Sequence, residues 1–346
     1  MDRRILPIAL LIIALVQPSY PCAPAPPQGS IVYVVEESAI ILWDAANHIE
    51  HFIRRATFQS DAPDFGFLVP TPTKPELAEA PDDAFTMLEE VMRPKYITEE
   101  EHDIEPVFLL GMFFTLRSAS RDRVGAPPPV RILDTKRVAG YDAVVLEADD
   151  AASLHSWLEK HGYRSSPALQ KWFEPYILKK WKITAFKIAG DQQTRRIGSA
   201  AVRMSFSTDK PFFPYREPEM KETPERRLLQ VLLLSNEKVK GRLGSEDWAG
   251  QLKWADRLPA EFQTRLMEKL GLSEKFNSLW LNAFEDRSNP RPGHADLYFQ
   301  RANNQTPVVP PPITITSVKK IPLPLDLFLL AGVIAFVFYR RRRPRT

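Results

Sequence analysis

Alternation of hydrophobic and polar residues predicts β-strands along much of the chain. Residues 30–60 give two strands on either side of "DAAN" (44–47), which is a turn signal. An apolar stretch running into a proline-rich turn predicts a further strand at the start of 64–77. The same reasoning predicts strands within 106–116, 130–150, 182–188, 201–218 and 226–243, the last as a hairpin around "SNEK".

Helical spacing of apolar residues predicts several short helices, fewer than the predicted strands. In "EADDAASLHSWLEKHGY" (147–163), Leu154, Trp157 and Leu158 form one apolar face. Asp149 or Asp150 is placed to cap the first turn, and a glycine follows the last turn. Comparable patterns predict helices within 81–96, 167–181 and 258–276. The sequence therefore predicts a sheet-rich α+β fold with several short helices.

The N-terminal segment has the layout of a secretory signal peptide. Arg3 and Arg4 precede an apolar run from Ile5 to Val16, which is shorter than the ~20 residues that a transmembrane helix needs. We therefore expect residues 1–25 to be a signal peptide. The cleavage site stays open, because a proline follows the small-residue triplet Ala23-Pro24-Ala25.

The C-terminal segment predicts one membrane-spanning helix over residues 321–339, followed by a basic cytoplasmic tail over 340–346. Its stop-transfer signal is formed by Arg340, Arg341, Arg342 and Arg343. The preceding residues 306–320 are rich in proline and predict an extended stalk. The body, residues 28–305, would then be extracytoplasmic. An alternative is that the tail is a sorting signal removed from a surface protein.

Composition excludes several classes of protein. Cys22 is the only cysteine, so an intramolecular disulfide and a thiolate zinc site are both excluded. The formal net charge of +3 comes from the two ends, and the mildly acidic body lacks the basic patch of a nucleic-acid-binding protein. The chain contains no glycine-rich phosphate loop and no nucleophile elbow. We expect no cofactor.

Two clusters carry side chains that are able to bind a metal. His102 and Asp103 follow the acidic run Glu99–Glu101, and His155 and Glu159 stand one helical turn apart. For the first cluster a solvated loop is the favoured interpretation, and for the second an exposed face of a capped helix. His48 and His51 are interpreted as surface residues of a sheet. These observations indicate no catalytic residue.

Four motifs together resemble the bacterial domain-of-unknown-function family 2330. They are "DFGFLVPTPTKPEL" (64–77), "RVAGYDAVVLEADDAASLHSWLEKHGY" (137–163), "LQKWFEPYILKKWKITAFKI" (169–188) and "RMSFSTDKPFFPYREP" (203–218), while "LWLNAFEDRSNPRPGHADLYF" (279–299) resembles a closing strand pair. The resemblance covers most of residues 23–300. It implies an exported protein, often with a C-terminal span, and no particular activity.

The favoured function is a non-catalytic envelope module that binds another protein or a surface polymer. This hypothesis rests on a tethered body in which no coherent catalytic set is evident. The alternative is an exported hydrolase or metal-dependent enzyme that uses the His102 or His155 cluster. That alternative predicts that these clusters converge in one pocket.

Overall fold

The computed structural model describes residues 23–25, 32–60, 65–107, 137–163, 165–188, 196–198, 201–218, 227–273, 276, 278–289, 291–324, 332, 334–336, 338 and 340. They fall into two units, Met1–Arg93 with Asp134–Pro310, and Pro94–Leu133 with Pro311–Thr346. The apolar run of the expected signal peptide and most of the strand expected in 106–116 lie outside the described residues.

The described elements confirm a sheet-rich α+β fold with few, short helices. In chain order they are β1 (Ala23–Ala25), β2 (Val32–Asp44), β3 (Ile49–Ser60), β4 (Phe65–Thr71), β5 (Glu76–Glu79), α1 (Asp83–Val91), β6 (Tyr96–Val107), β7 (Arg137–Val138), β8 (Tyr141–Leu146), α2 (Ala151–Lys160), α3 (Pro167–Leu178), β9 (Lys182–Ile188), β10 (Arg196–Gly198), β11 (Val202–Ser207), β12 (Phe212–Phe213), β13 (Leu228–Ser235), β14 (Val239–Leu243), β15 (Glu246–Asp247), β16 (Gln251–Arg257), α4 (Ala260–Leu270), β17 (Trp280–Asp286), β18 (Leu297–Arg301) and β19 (Ile313–Pro324).

The largest sheet of the first unit has eight strands and is buried on both faces. Its order is β16, β17, β13, β2, β3, β11 and β5, with β10 also paired to β3. Only the β13–β2 pair is parallel among these pairings. Leu232 and Leu234 of β13 enter one hydrophobic cluster, and Val231 and Leu233 enter another. Burial on both faces explains the nearly continuous apolar sequence of this strand.

Helices cover one face of this large sheet. Phe85 of α1 and Leu266 of α4 pack in the same cluster as Ile40 and Leu42 of β2. The α4 helix ends at Gly271, whose φ of 64° is the left-handed conformation that favours glycine at a helix C-terminus. The sequence pattern in 258–276 therefore predicted both the helix and its end correctly.

A second sheet carries the other two helices. Its strands run in the order β1, β4, β9, β8 and β7, and all of the pairings are antiparallel. Leu158 of α2 and Phe173 of α3 pack against Leu68 of β4 and Ala185 of β9. The remaining sheet of this unit has the order β12, β18, β14 and β15.

Side-chain oxygens cap the two helices on the second sheet. Asp150 accepts a hydrogen bond from the Ser153 backbone N–H at 2.7 Å, and Ser166 accepts one from Leu169 N–H at 3.1 Å. This confirms that the 147–163 stretch is a capped helix. The cap is Asp150, one of the two aspartates that the sequence left open.

The predicted hairpin around "SNEK" is wrong, although both of its strands exist. β13 pairs with β17 and β2, whereas β14 pairs with β18 and β15. The chain therefore changes sheets at this turn. β13 is a central strand of a doubly buried sheet, and that position, more than the local turn signal, decides its partners.

The second unit contains a two-stranded parallel sheet of β6 and β19. The solvated loop expected around Glu99–Asp103 is therefore part of a strand, and the extended segment expected over 306–320 is a β-strand from Ile313 onward. The cause is main-chain pairing in register from Ile313 opposite Tyr96 to Pro324 opposite Val107. Nothing in the described part of the chain forms a helix with the length and apolar character needed to cross a membrane.

Candidate binding site

The structure places His155 and Glu159 on the outer face of α2. His155 Nε2 lies 3.7 Å from Glu159 Oε2, and their side chains are 29% and 56% exposed. This is the solvent-facing i,i+4 pair that the helical spacing favours. Within the described part of the chain, no group of three or more His, Cys, Asp or Glu side chains is arranged to hold a metal ion.

His102 and Asp103 are successive residues of β6 in the second unit. Successive residues of a strand belong to opposite faces, so His102 does not share a face with Asp103 or with Glu99 and Glu101. The parallel register places Lys319 beside His102 and Lys320 beside Asp103. The His102 and His155 clusters belong to different units. Metal binding at either position stays a prediction.

A different region of the first unit has the form of a binding site. Three open depressions, of about 350, 550 and 470 Å³, follow one another around the turn after β4. The first two share Thr73 and Ser207, and the second and third share Lys74 and Glu76. We call this surface the groove. Its three parts are the aromatic end, the central depression and the apolar end.

The central depression is built by neighbouring strands of the large sheet. Ser205 of β11 lies directly opposite His51 of β3 and Glu76 of β5, so the three residues form a row on one face. The Ser205 Oγ and His51 Nδ1 atoms are 2.8 Å apart. Gly271 and the residues after α4 close the far side of the depression.

The wall shared with the aromatic end is held by the main chain of β11. The Thr73 hydroxyl donates to the Ser207 carbonyl at 3.1 Å and accepts from the Ser207 N–H at 2.9 Å. These bonds fix the turn after β4 against the end of β11. They also leave the Ser207 side chain exposed at the junction of two depressions.

Trp181 and Tyr298 are the aromatic residues that line the aromatic end. Both rings are half-buried, pack against Phe212 and line the depression with Asp209 and Lys210. Burial raises the pKa of Tyr298 to about 12, so its phenol is protonated at neutral pH and is able to donate a hydrogen bond. The Lys210 ammonium lies 5.0 Å from the centre of the Tyr298 ring.

Arg203 reaches the central depression from the same sheet face. Its Nη1 donates to the carbonyl of Leu270 at the end of α4, where a cation also compensates the helix dipole. Its Nε is buried and has no hydrogen-bond partner within the described residues. No carboxylate of the described residues forms an ion pair with Arg203 within 4.0 Å.

A second polar cluster lies wholly inside the first unit, and we call it the buried network. Arg227 binds Glu217 through both guanidinium ends at 3.0 and 3.4 Å, and Arg54 Nε donates to Glu37 Oε1 at 2.5 Å. Arg291 lies within 4 Å of Glu37, Glu217 and Asp286. The network contains three acids and three arginines, so its formal charges cancel.

Burial shapes the ionisation of this network. It raises the pKa of Glu217 to about 8, although Arg227 and Arg291 oppose the shift. Burial also lowers the pKa of Arg291 from its ordinary value. Asp286 differs: burial alone would raise its pKa, but hydrogen bonds from Ser288 and Tyr215 hold it below the usual range.

Comparison with known proteins identifies the family. Residues 20–275 match the family described as "Uncharacterized protein conserved in bacteria (DUF2330)". The chain belongs to this family. The match includes every groove residue named above except Tyr298. It confirms the resemblance drawn from the four sequence motifs.

Two solved structures show a weak likeness to the chain. No curated protein matches the chain. A crystal structure of baculovirus P35 aligns with a TM-score of 0.35 and 8% identity, over 84% of this chain and all of that one. A mutated baculovirus P35 after caspase cleavage aligns with a TM-score of 0.26 and 9% identity, over 80% of this chain and 99% of that one. At these scores neither likeness supports an argument about function.

The groove is not evident from the sequence, although some of its residues stand out there. His51 was expected on a sheet surface, but it is only 4% exposed beside Ser205, while His48 is exposed in the turn before β3. The groove joins residues near 73, 205 and 271, so no local pattern reveals it. The one available signal was "TPTK" (71–74), a polar turn after a fully buried strand.

Proposed function

We propose that this family member is a membrane-anchored, extracytoplasmic binding module whose groove holds an extended surface polymer. The observation that supports the proposal is the sharing of Thr73, Ser207, Lys74 and Glu76 between successive depressions. A run of connected, open depressions fits a chain of repeating units better than it fits one enclosed small molecule.

The chemistry of the groove suits a hydroxyl-rich polymer. Half-buried aromatic rings at one end offer apolar faces with polar edges, which suit a ring that is apolar on one side and polar on the other. Serine and threonine side chains, together with Lys74 and Glu76, supply donors and acceptors along the remainder. Such placed polar groups give orientation, and the aromatic surface gives contact area.

Binding to polymers tests this proposal directly. Purified full-length protein would be applied to an array of bacterial surface glycans and to unrelated extended peptides. Ser207→Trp places a large ring where two depressions meet, so we expect glycan binding to fall at least about tenfold. Ser245→Trp, at an exposed turn outside the groove, is the matched control. Equal binding by both variants would exclude the groove as the binding site.

A second candidate function is hydrolysis with Ser205 as nucleophile. It is favoured by the 2.8 Å contact of Ser205 with His51, a pair in which histidine would act as base. Asp44 lies close to His51. Burial alone would raise the pKa of Asp44, but hydrogen bonds from Asn47 and Ala46 and the nearby His51 hold it below the usual value. Labelling of Ser205 by a fluorophosphonate probe, absent in Ser205→Ala, would favour this function.

The membrane anchor is part of the same proposal. It is supported by the apolar sequence before Arg340 and by the helical, exposed residues Ile334, Phe336 and Phe338. We expect the full-length protein to stay in the membrane fraction after carbonate extraction and its body to be accessible to protease outside the cell. A chain lacking residues 321–346 should be released. A mature chain that lacks its C-terminal tail when isolated would instead indicate a processed sorting signal.

A further inference from the structure

We infer that the central depression binds an acidic group of the polymer, either a carboxylate or a phosphate. This inference rests on the proposed function and specifies the chemistry of its ligand. It starts from the balance of charge in the central depression, where the described lining residues include Arg203 and Lys74 but, among carboxylates, Glu76 alone. The polymer that follows from this is anionic, with charged groups along its length.

Arg203 is the main support for an anionic ligand. A partly buried guanidinium is ordinarily paired with a carboxylate, because removing a charge from water is costly. No such partner is present among the described residues, and the buried Nε has no acceptor. Nε is enclosed, so an acidic group in the open depression would supply the opposite charge and an acceptor for the accessible end of the guanidinium.

Arg203 also has a structural role that does not account for all of its donors. Its contact with the Leu270 carbonyl uses Nη1 and places the positive charge at the negative end of α4. A guanidinium has five N–H donors in a planar fork, and one carbonyl engages only one of its nitrogens here. The helix end therefore positions Arg203 and leaves Nη2, which has no hydrogen-bond partner among the described residues and is not enclosed as Nε is, for a second acceptor.

Lys74 and Ser205 complete the depression. Lys74 is exposed on the turn after β4, and the described residues provide it with no ion pair. Ser205 and His51 add a hydroxyl and an imidazole on the same sheet face as Arg203. A fork-shaped donor, a mobile ammonium and a hydroxyl are groups that bind carboxylate and phosphate oxygens.

Among the described residues that line the depression, Glu76 is the one whose charge opposes an anion. It lies opposite Ser205 in the register and is exposed. Its removal should therefore strengthen the binding of an acidic ligand, whereas removal of Lys74 should weaken it. These opposite signs distinguish an electrostatic site from one in which the polar groups merely line a surface.

The experiment compares matched polymers on the full-length protein. Polygalacturonate carries a carboxylate on each ring, its fully methyl-esterified form carries none, and poly(glycerol phosphate) carries phosphates on a backbone without rings. We expect the acidic form of the galacturonan to bind about tenfold or more tightly than its ester, and added salt to reduce the difference. Comparison with poly(glycerol phosphate) then distinguishes carboxylate from phosphate as the bound group.

Variants connect the effect to the depression. Lys74→Met should weaken binding of the acidic polymer several-fold, and Glu76→Gln should strengthen that binding. Neither variant should alter binding of the ester. Lys253→Met, on an exposed part of β16, is the matched control. Arg203→Met should weaken binding of the acidic polymer most. Melting curves of this variant would show whether loss of the contact with Leu270 unfolds the protein. The two exposed variants keep the test independent of that outcome.

Each outcome has one meaning. If acid and ester bind equally and Ser207→Trp abolishes both, the inference is overturned and the binding groove remains. If no polymer of the array or of this set binds, the proposed function fails as well. Opposite changes for Lys74→Met and Glu76→Gln on the acidic polymer alone support the inference.

Discussion

At the scale of single residues, Glu217 is a buried acid whose ionisation is tied to folding. Burial raises its pKa from about 4.5 to about 8. A carboxyl with a raised pKa binds its proton more tightly in the folded state, so this contribution to stability is present below about pH 4.5 and is lost as the pH rises towards 8. We expect the Glu217→Gln variant, measured by urea unfolding, to depend less on pH between 5 and 8 than the native chain.

The control for this prediction is Glu174→Gln, which changes an exposed glutamate of α3. It should leave the pH dependence unchanged. If Glu217→Gln retains the full pH dependence of the native chain, another buried acid is responsible. Glu50 and Asp296 are the next to test, since burial raises the pKa of both.

Sequence patterns predicted the contacts of polar residues at the surface better than the contacts of buried charged residues. The pairing of the half-buried His155 with the exposed Glu159 follows from helical spacing alone. The buried network does not, because Arg291 comes from a distant part of the chain and meets Glu37, which pairs with Arg54 across the neighbouring strands β2 and β3, only through tertiary packing. Any of these residues would be assigned to the surface from its side-chain type. Burial of a charge depends on tertiary context that no local pattern carries.

At the scale of elements, the start of α3 offers a clean test of capping. The Ser166 side chain accepts from the Leu169 N–H, and Pro167 occupies the first turn. Ser166→Ala should cost about 1 kcal/mol of unfolding free energy, because that N–H loses its acceptor. Ser165→Ala is the matched control, since the described residues give its hydroxyl no partner. Equal losses in thermal or urea unfolding would contradict the assignment of the cap.

If a signal peptide is removed as proposed, the position of β1 predicts where the mature chain begins. Ala23, Pro24 and Ala25 pair with β4, opposite Leu68, Phe67 and Gly66. Cleavage after Ala25, the end of the signal peptide expected from the sequence, would remove this edge strand, so we revise that boundary and expect the mature chain to retain Ala23. N-terminal sequencing of protein purified from the envelope checks this. A mature chain that begins after Ala25 would contradict it and would make β1 a feature of the precursor alone.

Sequence predicted the existence of strands and helices well and the pairing of strands poorly. Alternation and apolar runs located β2, β3 and β13, because each strand carries its own burial pattern. Pairing joins residues far apart in sequence, and the parallel β13–β2 contact spans nearly two hundred positions. The sequence did not predict β6 as a strand, because it contains several glutamates and glutamate is depleted in strands. Pairing with β19 is what makes this segment a strand.

At the scale of the whole molecule, the first unit contains a complete hydrophobic core. The buried apolar residues of the described chain lie between Val32 and Ala302. Residues 303–308 add polar contacts: Lys238 N–H donates to Gln305, the Lys238 ammonium donates to the Thr306 carbonyl, and Val308 exchanges two backbone bonds with Ala255. The chain should therefore tolerate loss of everything after Pro310, but not loss of everything after Ala302.

Two truncations test this division in the same detergent. A chain ending at Pro310 should melt at the temperature of the full-length body, because no described core residue is removed. A chain ending at Ala302 should melt roughly 5 °C or more lower, since several hydrogen bonds of about 1 kcal/mol each are lost together. If both truncations are destabilised equally, the first unit depends on residues beyond 310. In that case the strand β19, and not the 303–308 segment, would be what completes the fold.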